Sequence, residues 1–166
     1  MSNHTHDLEN ALYDITGYDR TSRPDIPAIR RLGSLAYNAG DALDATSYGA
    51  GATVRHSLIQ VALGAARWYQ DITGASMRCV LDAVRDEYDR AHTKHAGRTP
   101  ANPAMSDHDR AAILLEEVGE VARALTPDAH TATGHAGNLA EELIQTATMA
   151  TAWLQHLINQ KEEEQA

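Results

Sequence analysis

The residues of greatest chemical interest lie in the C-terminal half. In Ala112 to Leu125 (AILLEEVGEVARAL), Leu114, Val118, Val121 and Leu125 recur at helical spacing and form one apolar stripe. Glu117 and Glu120 follow Leu114 by three and six residues, so both carboxylates lie on one flank of that stripe. The last segment repeats the pattern. Leu139, Leu143, Ala150 and Leu157 form its stripe, and Glu142 and Gln145 stand three and six residues after Leu139. Two such helices packed stripe to stripe would gather three carboxylates and one amide at the edge of the core. Clustered carboxylates repel and raise one another's pKa unless a cation joins them. Mg²⁺, or Mn²⁺ in its place, answers that need: it is hard, takes oxygen ligands and shares its shell with substrate phosphates. The spacing allows it, because residues three apart on a helix have Cβ atoms about 5–6 Å apart. The plain alternative is a solvated acidic face.

Upstream, Arg90, His92, Lys94, His95 and Arg98 concentrate positive charge in an acidic chain. On one helix they could reach phosphate oxygens opposite the metal, lysine as a point charge and arginine as a fork. The competing reading is a basic helix end favoured by the C-terminal dipole. Trp68 and Trp153 read as core anchors rather than base-stacking platforms. His4 and His6 read as a flexible tail, and His130 and His135 as loop residues.

Composition removes several function classes. A formal charge of −9 works against binding a nucleic-acid polymer, whose phosphates need Lys and Arg; a nucleotide remains open, since a metal can bridge it to acidic protein. Cys79 is the only cysteine, which leaves no internal disulfide and no thiolate cluster; it reads as a small apolar residue of a helix. No Ser/His/Asp order and no Gly-rich phosphate loop is visible. Nothing approaches the roughly 20 apolar residues of a bilayer span, so no membrane partner is expected. The opening MSNHTHDLEN has neither a basic nor an apolar signal region, and the expected compartment is the cytoplasm.

The elements that position these residues are helices throughout, because no stretch alternates as a strand does. A weak helix is expected over 6–16 and stronger ones over 26–44, 52–72, 76–95, 107–126 and 136–161. Pro24 and Pro27, Gly49 to Gly51, Thr99 to Pro103 and Thr126 to Asp128 break them. The tail Lys161 to Ala166 is a charge run with the look of a solvated end. The chain also repeats itself. Leu58-Ile59-Gln60 returns 85 positions later as Leu143-Ile144-Gln145, and Ala62, Ala65, Trp68 and Gln70 return as Ala147, Ala150, Trp153 and Gln155. One helix upstream, Leu32, Ala42 and Leu43 return 82 positions later as Leu114, Ala124 and Leu125. Tyr18-Asp19-Arg20 is similar to Tyr88-Asp89-Arg90. The fold expected is an all-α bundle of two helical units, 6–72 and 76–161, packed as an internal pseudo-dimer around one core.

Glu116-Glu117-x-x-Glu120 followed by Glu142-x-x-Gln145 resembles the EExxE and ExxD signature of the MazG-like all-α nucleoside triphosphate pyrophosphohydrolases, and Arg90 to Gly97 resembles a segment that precedes the EExxE helix in some members. The likeness covers about 85–160. It implies Glu117, Glu120 and Glu142 as metal ligands, Glu116 as an additional acidic residue of the catalytic set, and Gln145 in the place of the family's Asp. A neutral amide is the weaker Mg²⁺ ligand, so Gln145 either weakens a second metal position or acts through water. In the first unit Ser34, Leu35, Asn38, Ser57 and Gln60 align with Glu116, Glu117, Glu120, Glu142 and Gln145, which implies a copy without catalytic carboxylates. The function expected is Mg²⁺-dependent cleavage of a nucleoside triphosphate to monophosphate and pyrophosphate, with Glu116 or a carboxylate of the cluster orienting the attacking water. The alternative is a non-catalytic helical module that binds a nucleotide or a protein. The internal repeat either replaces the homodimer common in the family or dimerises again.

Overall fold

A computed structural model describes residues 25–126 and 139–163, all helix and connecting turn. The helices are α1 Ala28–Ser47, α2 Gly51–Thr73, α3 Met77–Lys94, α4 Asp107–Ala124 and α5 Leu139–Glu163. No strand occurs among the described residues. The expected helix over 6–16, the Tyr18 to Arg20 segment, His4, His6, His130 and His135 lie outside them.

The boundaries have local causes. Pro27 precedes α1, where a missing N–H costs nothing, and its carbonyl accepts from Arg30 N at 3.0 Å and Arg31 N at 3.2 Å. Gly74 ends α2 in the left-handed region at φ 72°, its N–H on the Gln70 carbonyl at 2.8 Å. Ser76 and Ser106 cap α3 and α4, each side chain accepting from the backbone N–H three residues on, Cys79 at 3.3 Å and Asp109 at 3.1 Å. The sequence estimate for α4 runs two residues too far, and residues 136–138 of the expected last helix lie outside the described residues.

α2 and α5 pack against each other along the centre; α1 lies on α2, α4 on α5, and α1 also meets α4. α3 packs chiefly on α5. With neighbours on several sides, α5 is buried at every position from Glu142 to His156 except Gln145. Its polar residues fit that setting by local bonding: Thr148 and Thr151 donate to the carbonyls four residues back, Ile144 and Ala147, both at 2.7 Å. Leu114, Val118, Val121, Leu143 and Ala150 of the expected stripes are buried, while Leu125, Leu139 and Leu157 at the helix ends are partly so. Trp68 and Trp153 are both buried in the core. Cys79 departs from expectation: it is exposed in the first turn of α3, its Sγ 3.1 Å from Ser76 Oγ. Among the described residues no helix is long and apolar enough to cross a membrane.

Candidate metal and nucleotide site

α4 and α5 bring Glu117, Glu120 and Glu142 together, with one carboxylate oxygen from each within 4.8 Å of the others. Glu142 is 6% exposed. Gln145, one turn along α5, completes the group. Hydrogen bonding decides its orientation: with the amide nitrogen turned inward, it donates to Glu142 Oε2 at 3.0 Å and to Glu117 Oε2 at 3.2 Å. It serves the two carboxylates as a donor instead of adding a third oxygen to them.

Burial first, and the charges of Glu120 and Glu142 second, push the Glu117 carboxyl up to about 8. Burial and Glu120 push Glu142 up to about 7. Each shift says that full ionisation of the cluster is unfavourable without a counter-charge. The donor set, three carboxylates, is of the oxygen-only kind that hard cations such as Mg²⁺ or Mn²⁺ take.

The cluster opens onto a cleft of about 1040 Å³. Glu116, Glu117, Glu120 and Gln145 line it from α4 and α5, and Arg90, Lys94, His95 and Arg98 from the end of α3 and the turn after it. The α4 and α5 side is acidic, and the α3 side sets Arg90, Lys94, His95 and Arg98 beside Asp86 and Glu87. His92 does not line the cleft; it is exposed, its ring tilted by 30° to Tyr88 with centroids 6.0 Å apart. Neither tryptophan lines the cleft.

The turn carrying Arg98 is held by a residue that sequence reasoning passed over. Arg110 is 2% exposed; its Nε donates to the Pro100 carbonyl at 2.8 Å, Nη2 to the Asn102 carbonyl at 2.6 Å and Nη1 to Asp107 Oδ1 at 2.8 Å. These bonds satisfy a buried cation and tie residues 100–102 to the start of α4. Gly97, at φ 78°, permits the sharp exit from α3, its N–H on the His92 carbonyl at 2.8 Å. Glu87 was also missed. It lines the cleft from α3, and Arg90 grips both its oxygens, Nε to Oε2 and Nη2 to Oε1, each at 2.6 Å. That pairing raises the Arg90 pKa above its ordinary value. Its one sequence signal is the three-residue spacing to Arg90, which also fits an ordinary surface pair. Asp86 of α3, Tyr69 of α2 and Glu141 of α5 are further polar lining residues that the motif did not point to.

No protein-family model, curated protein or solved structure matches this chain. The functional reading therefore stands on the residues of the cleft.

Proposed function

We propose that the cleft is the active site of a divalent-cation-dependent nucleotide pyrophosphohydrolase of the MazG-like kind. The observation that carries the reading is the gathering of Glu117, Glu120 and Glu142 within 4.8 Å beside a cleft whose other wall holds Arg90, Lys94, His95 and Arg98. Such a pair of walls suits a ligand that brings a cation to one side and phosphates to the other. When bound, Mg²⁺ offsets the charge of the cluster, polarises phosphate oxygens and makes water a better nucleophile.

The side chains divide the remaining work. Glu117, Glu120 and Glu142 hold the cation. Gln145 fixes the carboxylates of Glu117 and Glu142 by donating to both. Arg90, Lys94, His95 and Arg98 bind phosphate oxygens and so set the orientation of the triphosphate. Glu116, exposed at the rim, orients the attacking water and accepts its proton on a carboxylate oxygen. Water adds at the α-phosphorus as the bond to the bridging oxygen of the β-phosphate breaks, giving nucleoside monophosphate and pyrophosphate. The packing of α2 on α5 and of α1 on α4 supports the tandem-unit reading, in which 6–72 is a copy without catalytic carboxylates. A cytoplasmic location belongs to the same reading.

A second reading, a nucleotide-binding module without turnover, is favoured by one observation: the Gln145 amide donates into the cluster where a carboxylate would add a ligand. The deciding experiment measures pyrophosphate release from canonical and modified nucleoside triphosphates with Mg²⁺ or Mn²⁺, against Glu117→Gln. Metal-dependent release lost in the variant is the expected result. Metal binding without release from any nucleotide would leave only the binding module.

A further inference from the structure

The outward face of α1 is built unlike an ordinary solvated face. Ile29, Tyr37 and Tyr48, the last just past the helix end, are 74%, 72% and 79% exposed. The only exposed charged residues within α1 are Arg30 and Asp44, and neither is in an ion pair among the described residues. At helical spacing Arg30, Gly33, Tyr37, Gly40, Asp44 and Tyr48 share one side. Gly33 and Gly40 stand one turn to either side of Tyr37, and nothing lies within 4 Å of where a Cβ would be on either. A protruding ring is thus set between two hollows. Glycine is a poor helix former, and in an exposed helix its cost is offset where another helix seats a side chain over it.

We propose that α1 is the interface of a symmetric homodimer, in which two copies of the helix pack antiparallel and each seats Tyr37 in the hollow at the partner's Gly40. A two-fold interface needs a surface that is its own complement, and this face is one. With Tyr37 over the partner's Gly40, Ile29 faces the partner's Tyr48, and Arg30 comes within one turn of the partner's Asp44. Both exposed charges then meet an opposite charge, once on each side of the two-fold axis. Within one chain they cannot pair, because 14 residues of helix hold them about 21 Å apart along its axis. That self-complementarity, in shape and in charge, favours a second copy over an unrelated partner. No residue of α1 lines the cleft, so the inference stands apart from the proposed cation site.

The test is the mass of the full chain in solution. Sedimentation velocity over a dilution series is expected to show the 18.0 kDa chain associating reversibly to twice that mass. Gly40→Leu is expected to weaken the dimer about tenfold, because the new side chain fills the hollow. Circular dichroism of that variant should stay that of the wild type, since the position has open space around it. Arg30→Glu and Asp44→Arg, each alone, are expected to weaken the dimer about tenfold by bringing like charges together, and both in one chain are expected to restore it. Only contact between copies predicts that rescue, given the distance between the two positions on one helix. A monomer at every concentration would overturn the inference. So would a dimer indifferent to Gly40→Leu or to the single charge reversals, and so would one that the double exchange fails to restore, because each outcome would put the contact on another face.

Discussion

Where α4 and α5 carry Glu117, Glu120, Glu142 and Gln145, α1 and α2 carry Leu35, Asn38, Ser57 and Gln60 at the offsets of 82 and 85. The surroundings differ as much as the residues. Leu35 is 2% exposed, and a Cβ on Gly64 would come within 3.1 Å of its Cδ2, so that stretch is filled by hydrocarbon. The position 85 residues after Gly64 is Met149, which lines the cleft. Ser57, fully buried, donates to Asp41 Oδ2 at 2.5 Å, and Asn38 donates to the Ser34 carbonyl at 2.7 Å. One helix pair closes its polar groups on itself. The other leaves three carboxylates competing for the same space, with burial and repulsion raising two of their pKa values. A packed structure tolerates the first without help; the second calls for a proton or a cation.

The strongest test of that contrast is Glu117→Gln. Pyrophosphate release should disappear while circular dichroism stays that of the wild type, since the amide keeps the shape and removes one of the mutually repelling charges. The reverse transplant, Leu35→Glu, should fail as structure: a carboxylate in that hydrocarbon contact has no cation and no partner, and a cost of about 3–5 kcal/mol is expected. Thermal unfolding would register it, and an unchanged midpoint would mean the first half is as open as the second.

Acidity sharpens the comparison further. Glu117 is raised from 4.5 to about 8, so the folded metal-free protein holds a proton there that the unfolded chain has lost. The stability that this proton confers is complete below about pH 4.5 and declines as pH rises toward 8. Glu142, raised to about 7, acts in the same direction. Metal-free melting temperatures should therefore fall from pH 5 to 8, and Mg²⁺ should offset the fall, because a ligand of the native state stabilises it. Glu117→Gln should flatten the profile. The smallest effect expected is that of Ser57→Ala. Losing its bond to Asp41 should cost about 1 kcal/mol in chemical denaturation and leave turnover unchanged.

Much of this architecture was legible in the sequence, because an apolar stripe at helical spacing states both the helix and its buried side. The stripes of α4 and α5 put Glu117, Glu120, Glu142 and Gln145 on facing flanks before any coordinates, and the breakers placed five helices to within a few residues. What the pattern left open depended on contacts between segments distant in sequence. Glu87 carries no mark in the sequence beyond its spacing to Arg90, and its place in the cleft follows from the packing of α3 on α5. Nothing in the sequence pairs Arg110 with the carbonyls of Pro100 and Asn102, which its guanidinium binds in the fold. His92 shares a basic run with Lys94 and His95, yet the helix turns it onto Tyr88 instead of into the cleft.

Sequence by itself determined the helices, their apolar faces and the four polar positions that flank them, since those follow from periodicity along one chain. Only the tertiary structure decided that the carboxylates meet within 4.8 Å, that Gln145 donates to two of them, and that Arg90, Lys94, His95 and Arg98 line the same cleft beside Asp86 and Glu87. Distance and desolvation are properties of the packed assembly, and no spacing along a single helix encodes them.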